Sequence, residues 1–387
     1  MKTRMIALFL ALTLAFSMAA CAVKPAEPVP EPEAAAPETV TPEPTLEPEP
    51  EPEPAPVLWD DLVGISMPTE DWKQHSATMQ EQLEQIGYHV DLQFADDDPS
   101  VQISQIEDMI AKGAKVLIIT AIDIDALDPV LDQAKEAGCS IIAYDNPIYS
   151  DAVDCYVAFS SFSVCAAQGK FIMDQLDLDN AGDKVYNIEL VGGPPDYYNY
   201  VYVLYDGAMS VLQKYIDAGT LCVVSGQDDT ESTATEGWCA EKTQERFENL
   251  LSTYYSDKQL DAVWCSNDAT AQGVAAALEN VYENDVYPIL TGWGCEIDSV
   301  RNILDRKQAM SAFLDIRDLA AKAVEMADAI MKGIEPPKNG EYTSWDRKYS
   351  YPVFYVDPII CTEENVVDVM LDSGYYTREE LGVAPEN

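Results

Sequence analysis

Histidine is almost absent from this chain of 387 residues: only His75 and His89 occur. There is no G-x-S-x-G element and no His/Cys cluster at metal-ligand spacing, so serine-hydrolase and metal chemistry have no sequence signature, and no cofactor or metal is expected. Basic residues are scarce as well. The 23 Lys and Arg stand against 68 Asp and Glu, a formal net charge of -45 that argues against nucleic acid and against adsorption to anionic lipid. The nine glutamates between residues 24 and 57 account for only a fifth of that charge. The acid is therefore spread over the rest of the chain, as a solvated surface rather than a sign of a cationic ligand. Nine cysteines are present without a C-x-x-C pair or zinc spacing. Cys139, Cys155, Cys222 and Cys265 lie in or beside apolar strand runs, where Cys behaves as a small hydrophobe. Eight unpatterned thiols beyond Cys21 point to an anoxic setting more than to a disulfide framework, with pairing in space left open. Beyond the first twenty residues no apolar run is long enough to cross a bilayer.

That N-terminus reads as an export signal. Met1-Lys-Thr-Arg4 is a basic start, Met5 to Phe16 is apolar, and small residues lead to Cys21, so residues 1–20 are expected to be a signal peptide. Met18-Ala-Ala-Cys21 resembles a lipobox, which would place a lipid on Cys21 and anchor the protein to the cell membrane on its extracytoplasmic side. Cleavage after an Ala, leaving a soluble protein, is the alternative. Residues 21–57 would then be the lipidated Cys and a Pro/Glu-rich disordered tether, with almost nothing to bury. In polyproline II form, at about 3.1 Å per residue, such a stretch reaches on the order of 100 Å.

The remaining residues alternate strand and helix. Strands are expected near 62–66, 89–94, 115–119, 140–144 and 155–159, then near 184–191, 220–224, 260–265, 287–291 and 310–314. Amphipathic helices separate them, near 72–86, 101–112, 125–137, 162–176, 201–217, 238–254, 269–281 and 316–324. Apolar strands between amphipathic helices imply parallel sheets covered on both faces, and two such series imply two doubly wound α/β lobes. Ligands bind such sheets at the carboxyl ends of the strands.

Several stretches are more specific than any short motif. They include Asp91-Leu-Gln-Phe-Ala-Asp-Asp-Asp98, Gln102-Ile-Ser-Gln-Ile-Glu107, Val116-Leu-Ile-Ile-Thr120, Ile141-Ile-Ala-Tyr-Asp145 and Ile188-Glu-Leu-Val-Gly-Gly193. Tyr205-Asp-Gly-Ala-Met-Ser-Val-Leu212 and Asn249-Leu-Leu-Ser-Thr-Tyr-Tyr255 continue the series. Over about residues 60–380 this wording resembles the type I periplasmic sugar-binding proteins of ABC importers, above all the multiple-sugar-binding branch, with galactose- and ribose-binding proteins further off. The resemblance implies two lobes joined by a three-crossing hinge, with crossings near Ser160, Leu314 and Tyr342. The N-terminal lobe would be 58–160 plus about 315–342, and the C-terminal lobe 161–314 plus about 343–387.

A neutral sugar offers hydroxyls and flat apolar ring faces, so its receptor needs Asp, Asn or Arg forks and stacking aromatics at cleft-facing strand ends. Asp145 ends a strand, followed by Asn146 as a further ligand-binding candidate, and is either a turn cap or the carboxylate that the resemblance places on sugar hydroxyls. In Gly192-Gly-Pro-Pro-Asp-Tyr-Tyr-Asn199, Asp196 is placed to cap the next helix and Asn199 to face the cleft, and the resemblance implies polar sugar contacts from this loop, with both residues as ligand-binding candidates. Ser266-Asn-Asp-Ala-Thr-Ala-Gln-Gly273 resembles the family's N-D-x-x-A-x-G signature, in which Asn267 reaches the ligand, while Asp268 reads equally as contact or helix cap. Trp72 and Trp238 stand where relatives stack an aromatic ring, and Trp293 has no such counterpart.

Four positions depart from the multiple-sugar-binding pattern: Asp71 and Asn146 replace Arg, Gly294 replaces Asp, and Leu314 replaces Lys. The scaffold assignment survives these changes, and the identity of the sugar does not. The expectation is a substrate-binding lipoprotein, not an enzyme. It would hand a monosaccharide-like ligand to an ABC permease, with a chemoreceptor or sensor as a further partner. A nucleoside or autoinducer-like ligand is the alternative within binding proteins. A surface glycoside hydrolase is the alternative among enzymes, since two carboxylates suffice for that chemistry. A DNA-binding regulator on the same lobes is excluded by the export signal and the missing basic headpiece.

Overall fold

The computed structural model describes residues 58–195, 203–284 and 286–382. The signal, the tether, Cys21, Asp196 and Asn199 lie outside the described residues.

The chain opens with β1 (Leu62–Met67), α1 (Lys73–Gln85), β2 (His89–Phe94), α2 (Pro99–Ala111), β3 (Val116–Ile119), α3 (Asp128–Glu136), β4 (Ser140–Tyr144) and β5 (Cys155–Phe159). All six residues of β1 and all four of β3 are buried, because helices cover both faces of a parallel sheet. One face packs on α2 and α3 through Ile106, Met109, Val130 and Leu131. The other packs on α1 through Met79 and Leu83. Asp98 starts α2 by accepting from the N–H groups of Ser100 and Val101, with Pro99 in the first turn, where its missing N–H costs nothing.

Ser160 then caps α4 (Ser161–Gln175), and the chain enters a second sheet. This half contains β6 (Tyr186–Val191), α5 (Tyr205–Asp217), β7 (Leu221–Val223), α6 (Ala240–Tyr254), β8 (Ala262–Cys265), α7 (Asp268–Val281), β9 (Ile289–Leu290), α8 (Ile297–Leu304) and β10 (Met310–Phe313). The strand order β7-β6-β8-β9 is parallel throughout. Bonds from Ala309 N–H to the Leu290 carbonyl and from Ala312 N–H to the Gly292 carbonyl carry β10 alongside β9 in the same direction.

Asp315 caps α9 (Ile316–Met331), which returns to the first sheet and buries Leu319, Ala320 and Ala323 beside α1. A hairpin follows, β11 (Gly340–Thr343) and β12 (Ser350–Val356), before β13 (Ile359–Thr362) pairs antiparallel with β10. A π-helical turn (Val367–Asp372) and α10 (Arg378–Leu381) complete the second half.

The third crossing expected near Tyr342 is therefore misplaced. β12 runs parallel to β5, with Val353 opposite Tyr156, giving a seven-stranded sheet of order β11-β12-β5-β4-β3-β1-β2. Residues 343–356 belong with the first sheet, because Tyr351 and Val353 fill its core, and the chain leaves only after Val356. Cys222 also departs from expectation: it is exposed on the edge strand β7 rather than packed. No helix among the described residues is long and apolar enough to cross a membrane.

All three connections, after Phe159, Phe313 and Val356, leave from carboxyl ends of parallel strands. The carboxyl edges of the two sheets consequently meet at the hinge. That topology places a cleft where both sheets present their strand ends.

Candidate ligand-binding site

Two buried glutamines fix the strand ends before any candidate residue is placed. Gln102 of α2 donates to the Thr120 carbonyl at 2.9 Å and to Ser66 Oγ at 3.2 Å, and its Oε1 accepts from Ile122 N–H at 3.1 Å. Gln168 of α4 repeats the arrangement in the second sheet. It donates to the carbonyls of Cys265 and Gly292 at 3.1 and 2.8 Å and accepts from Trp264 Nε1 at 2.8 Å. Where parallel strands end, their last carbonyls lose ladder partners, and a primary amide can serve two chains at once. Nothing in the sequence marks these glutamines beyond their position on apolar helix faces.

On the first edge, Trp72 closes a short 3-10 turn (Glu70–Trp72) that leads into α1. Its ring lies 4.8 Å from His75 and meets Tyr144 edge-on at 6.5 Å. His75 Nδ1 sits 2.8 Å from Tyr144 Oη. Burial lowers the His75 pKa to about 4, so this cluster is uncharged near neutral pH.

Tyr144 ends β4, and Asp145 follows with left-handed backbone, φ 60°. Its N–H donates to the Val157 carbonyl at 2.9 Å, and its own carbonyl accepts from Tyr156 Oη at 2.5 Å. The main chain is pinned on both sides, yet the carboxylate accepts no hydrogen bond from any described residue. A turn cap would need a backbone N–H of the following turn on this carboxylate, and no described residue supplies one. Burial alone raises the Asp145 pKa. Asn146 beside it donates from Nδ2 to the Ala121 carbonyl at 3.1 Å, joining the loops after β3 and β4.

On the second edge, Gly192 N–H donates to the Thr233 carbonyl and Thr235 N–H to the Gly193 carbonyl, laying residues 233–238 along the end of β6. Trp238, with φ 55°, sets its ring directly on Gly193. A Cβ at Gly193 would fall 2.0 Å from that ring, so only glycine fits. Trp293 is half-buried at the end of β9, packed against the cluster containing Leu190 and Trp264 and the one containing Met310 and Ala312.

Asn267, not Asp268, is the N-cap of α7. Its Oδ1 accepts from Thr270 N–H at 3.0 Å and Thr270 Oγ1 at 2.8 Å, leaving the Nδ2 donors without a partner among the described residues. Asp268 is a correction to the expected contact set. It is fully enclosed, and its carboxylate accepts from Ser311 Oγ at 2.8 Å, Gln308 Nε2 at 3.1 Å and Glu296 N–H at 3.0 Å. Gly292 is required beside it, since a Cβ there would lie 2.2 Å from Asp268 Oδ1. Burial raises the Asp268 pKa against these three hydrogen bonds.

The structure thus brings Trp72, Asp145 and Asn146 together on one edge and Trp238, Asn267 and Trp293 on the other, and encloses Asp268 in the second body. Two polar groups escaped the sequence reading: the hydroxyls of Thr235 and Ser266 are buried at the second edge without a hydrogen-bond partner. Ser266 stands directly before Asn267, and that adjacency was the one available signal. An acceptor-only carboxylate, an amide donor and indole faces suit a small neutral molecule rich in hydroxyls. Among the described residues no group of three or more His, Cys, Asp or Glu side chains is arranged to hold a metal ion.

Residues 63–335 match the periplasmic binding protein domain. The multiple sugar-binding periplasmic protein SbpA of Azospirillum brasilense is 40% identical over 326 residues, covering 82% of this chain and 90% of that protein. The multiple sugar-binding periplasmic receptor ChvE of Rhizobium radiobacter is also 40% identical, with 82% and 92% covered. Among solved structures, an ABC transporter solute binding protein from Clostridium phytofermentans with bound β-D-glucose is 44% identical with a TM-score of 0.60. That match covers 83% of this chain and 99% of the other. A carbohydrate transporter solute binding protein from Chloroflexus aurantiacus, in complex with D-glucose, is 30% identical with a TM-score of 0.58, covering 82% and 97%.

Proposed function

Since the chain belongs to the periplasmic sugar-binding proteins, we propose that it captures a neutral monosaccharide between its two sheets and delivers it to an ABC permease. One observation carries the reading: Asp145 is held at a strand end by both of its backbone groups while its desolvated carboxylate has no partner among the described residues. Such a group destabilises the empty protein and is satisfied when a ligand supplies hydroxyl hydrogens. Asn267 Nδ2 offers the complementary donor, and the indoles of Trp72 and Trp238 offer apolar faces. Closing about the three connections would sequester the sugar and create the form that a permease, or a chemoreceptor, reads.

A glycoside hydrolase would need a second carboxylate near Asp145. Asp268, the other candidate acid within the described part of the site, is enclosed and fully hydrogen-bonded. The binding reading therefore rests on the site as well as on the family.

A thermal-shift screen over D-glucose, other hexoses, pentoses, uronic acids and nucleosides tests it. At a hundred times the dissociation constant a true ligand stabilises the protein by about 2.7 kcal/mol. At least one neutral aldose is expected to raise the melting temperature. A response confined to nucleosides would replace the sugar reading, and release of reducing sugar from oligosaccharides would replace binding by catalysis.

The lipid anchor belongs to the same proposal, with Cys21 as the acylated residue and residues 24–57 as the tether. Cys21→Ser is expected to release the protein into the medium or to block its processing. Unchanged membrane fractionation of that variant would remove the lipobox reading.

A further inference from the structure

The cysteines that show no pattern along the chain do show one in space. In the antiparallel pair of β10 and β13, Ser311 stands directly opposite Cys361, and residues opposed in this way project from the same face of the sheet. On that face Ser311 Oγ accepts the N–H of Cys295 at 3.0 Å, and the Cys295 thiol reaches the Ser311 carbonyl with its Sγ at 3.6 Å. Cys295 and Cys361 therefore share one neighbour and one face. Both are completely buried in the same apolar cluster, with Phe313, Val300 and Ile303, and the Cys361 thiol is near enough to push up the pKa of the Cys295 thiol. Of the other described cysteines, Cys139, Cys155, Cys165 and Cys265 sit in different clusters, while Cys222 and Cys239 reach the surface.

We propose that Cys295 and Cys361 are a cross-linking site, forming a disulfide when the exported protein meets a disulfide oxidant. The bond would join two functional segments. Cys295 ends the loop Thr291–Gly294 that follows β9 at the second edge, and its carbonyl is held by Tyr376 Oη at 3.0 Å. Cys361 lies in β13, the first element after the third connection between the sheets. A cross-link would thus tie one wall of the site to the root of the hinge, in the second body alone. It would leave the closing motion free and stiffen the surface on which closure ends.

The chemistry balances as thiol–disulfide exchange with a small disulfide such as oxidised glutathione. One thiol, as its thiolate, attacks a sulfur of the oxidant and expels one glutathione thiolate. The second thiolate then attacks the protein sulfur of the mixed disulfide and expels the other. Two protein thiols become one disulfide, and one oxidised glutathione becomes two reduced ones, which carry the two protons. The neighbouring Cys361 thiol and, after it, burial raise the Cys295 thiol well above its ordinary range, so exchange in the native state is slow and waits on local opening.

The test uses the exported chain and oxidised glutathione, in two arms: incubation of the native protein, and refolding from urea in the oxidant. Thiols are then alkylated under denaturing conditions and peptides are mapped by mass. The expected product carries a 295–361 linked peptide with two hydrogens lost, while the other six described cysteines are recovered alkylated. The linked form should melt roughly 4–8 °C above the reduced form, because the bond closes a long loop of the unfolded chain. Cys295→Ser and Cys361→Ser should each abolish the linked peptide and the gain, and should melt with the reduced parent to within about 3 °C. Recovery of both residues as free or glutathionylated thiols from both arms would overturn the proposal. So would a linked form that melts below the reduced one, which would mean the bond does not fit the native geometry.

Discussion

Asp145→Ala weakens sugar binding by roughly 5- to 150-fold, the equivalent of about 1–3 kcal/mol, and the empty variant melts no lower than the parent. Both halves of this expectation come from the same geometry. The carboxylate accepts nothing from the described residues, so its removal strands no buried donor in the empty protein. Its hydroxyl partners on the ligand, by contrast, lose their acceptor in a desolvated place. Isothermal titration gives the affinity and a thermal melt gives the stability. A variant that binds normally but melts early would make Asp145 a structural residue and move the site elsewhere.

The pH dependence follows with a definite sign. Burial raises the folded-state pKa of Asp145 above the ordinary 3.8, so the empty folded protein holds this proton more tightly than the unfolded chain does. Between the unfolded value and the raised one, Asp145 makes the empty protein less stable as pH rises. Binding runs the other way, because hydroxyls donating to the carboxylate favour its ionised form. Affinity should fall as pH drops through the raised value, with protons taken up when the sugar leaves. In Asp145→Asn this part of the pH profile should be flat.

The scaffold was legible in the sequence because strand and helix periods were strong wherever the sheets are parallel. The VLII run of β3 and the SIIAY run of β4 have buried faces on both sides. The C-terminal return was not legible. Gly340–Thr343 and Ser350–Val356 are mixed polar and aromatic stretches, with Tyr351 and Val353 buried between half-exposed neighbours, and their place depends on pairing with β5 about two hundred residues earlier. Long-range pairing of that kind leaves no local trace. The carboxylates divide in the same manner. Asp145 could be placed because it ends an apolar strand. Asp268 could not be separated from Asn267, since both occupy the first positions of a helix and only the fold decides which oxygen caps it. The enclosure of Asp268 depends on Gln308 and Ser311, forty residues downstream.

That contrast sets the second large effect. Asp268→Ala should lower the stability of the empty protein by about 2–4 kcal/mol, read as a fall in the urea midpoint at unchanged slope. Two buried donors, Ser311 Oγ and Gln308 Nε2, and the part-buried Glu296 N–H would lose their acceptor at once. Gln308 keeps a bond to the Met310 carbonyl at 3.0 Å, which limits the loss on its side. Asp268→Asn should recover at least half of the difference. Burial already pushes the Asp268 pKa upward, so a neutral amide of the same shape keeps an oxygen acceptor and carries no charge to desolvate. Any loss of sugar binding in Asp268→Ala would arise indirectly, through the neighbouring cap Asn267, and should be smaller in Asp268→Asn. If instead Asp268→Ala keeps its urea midpoint and loses the sugar, while Asp145→Ala unfolds early, the two carboxylates have exchanged roles. The ligand would then contact the start of α7 rather than the end of β4.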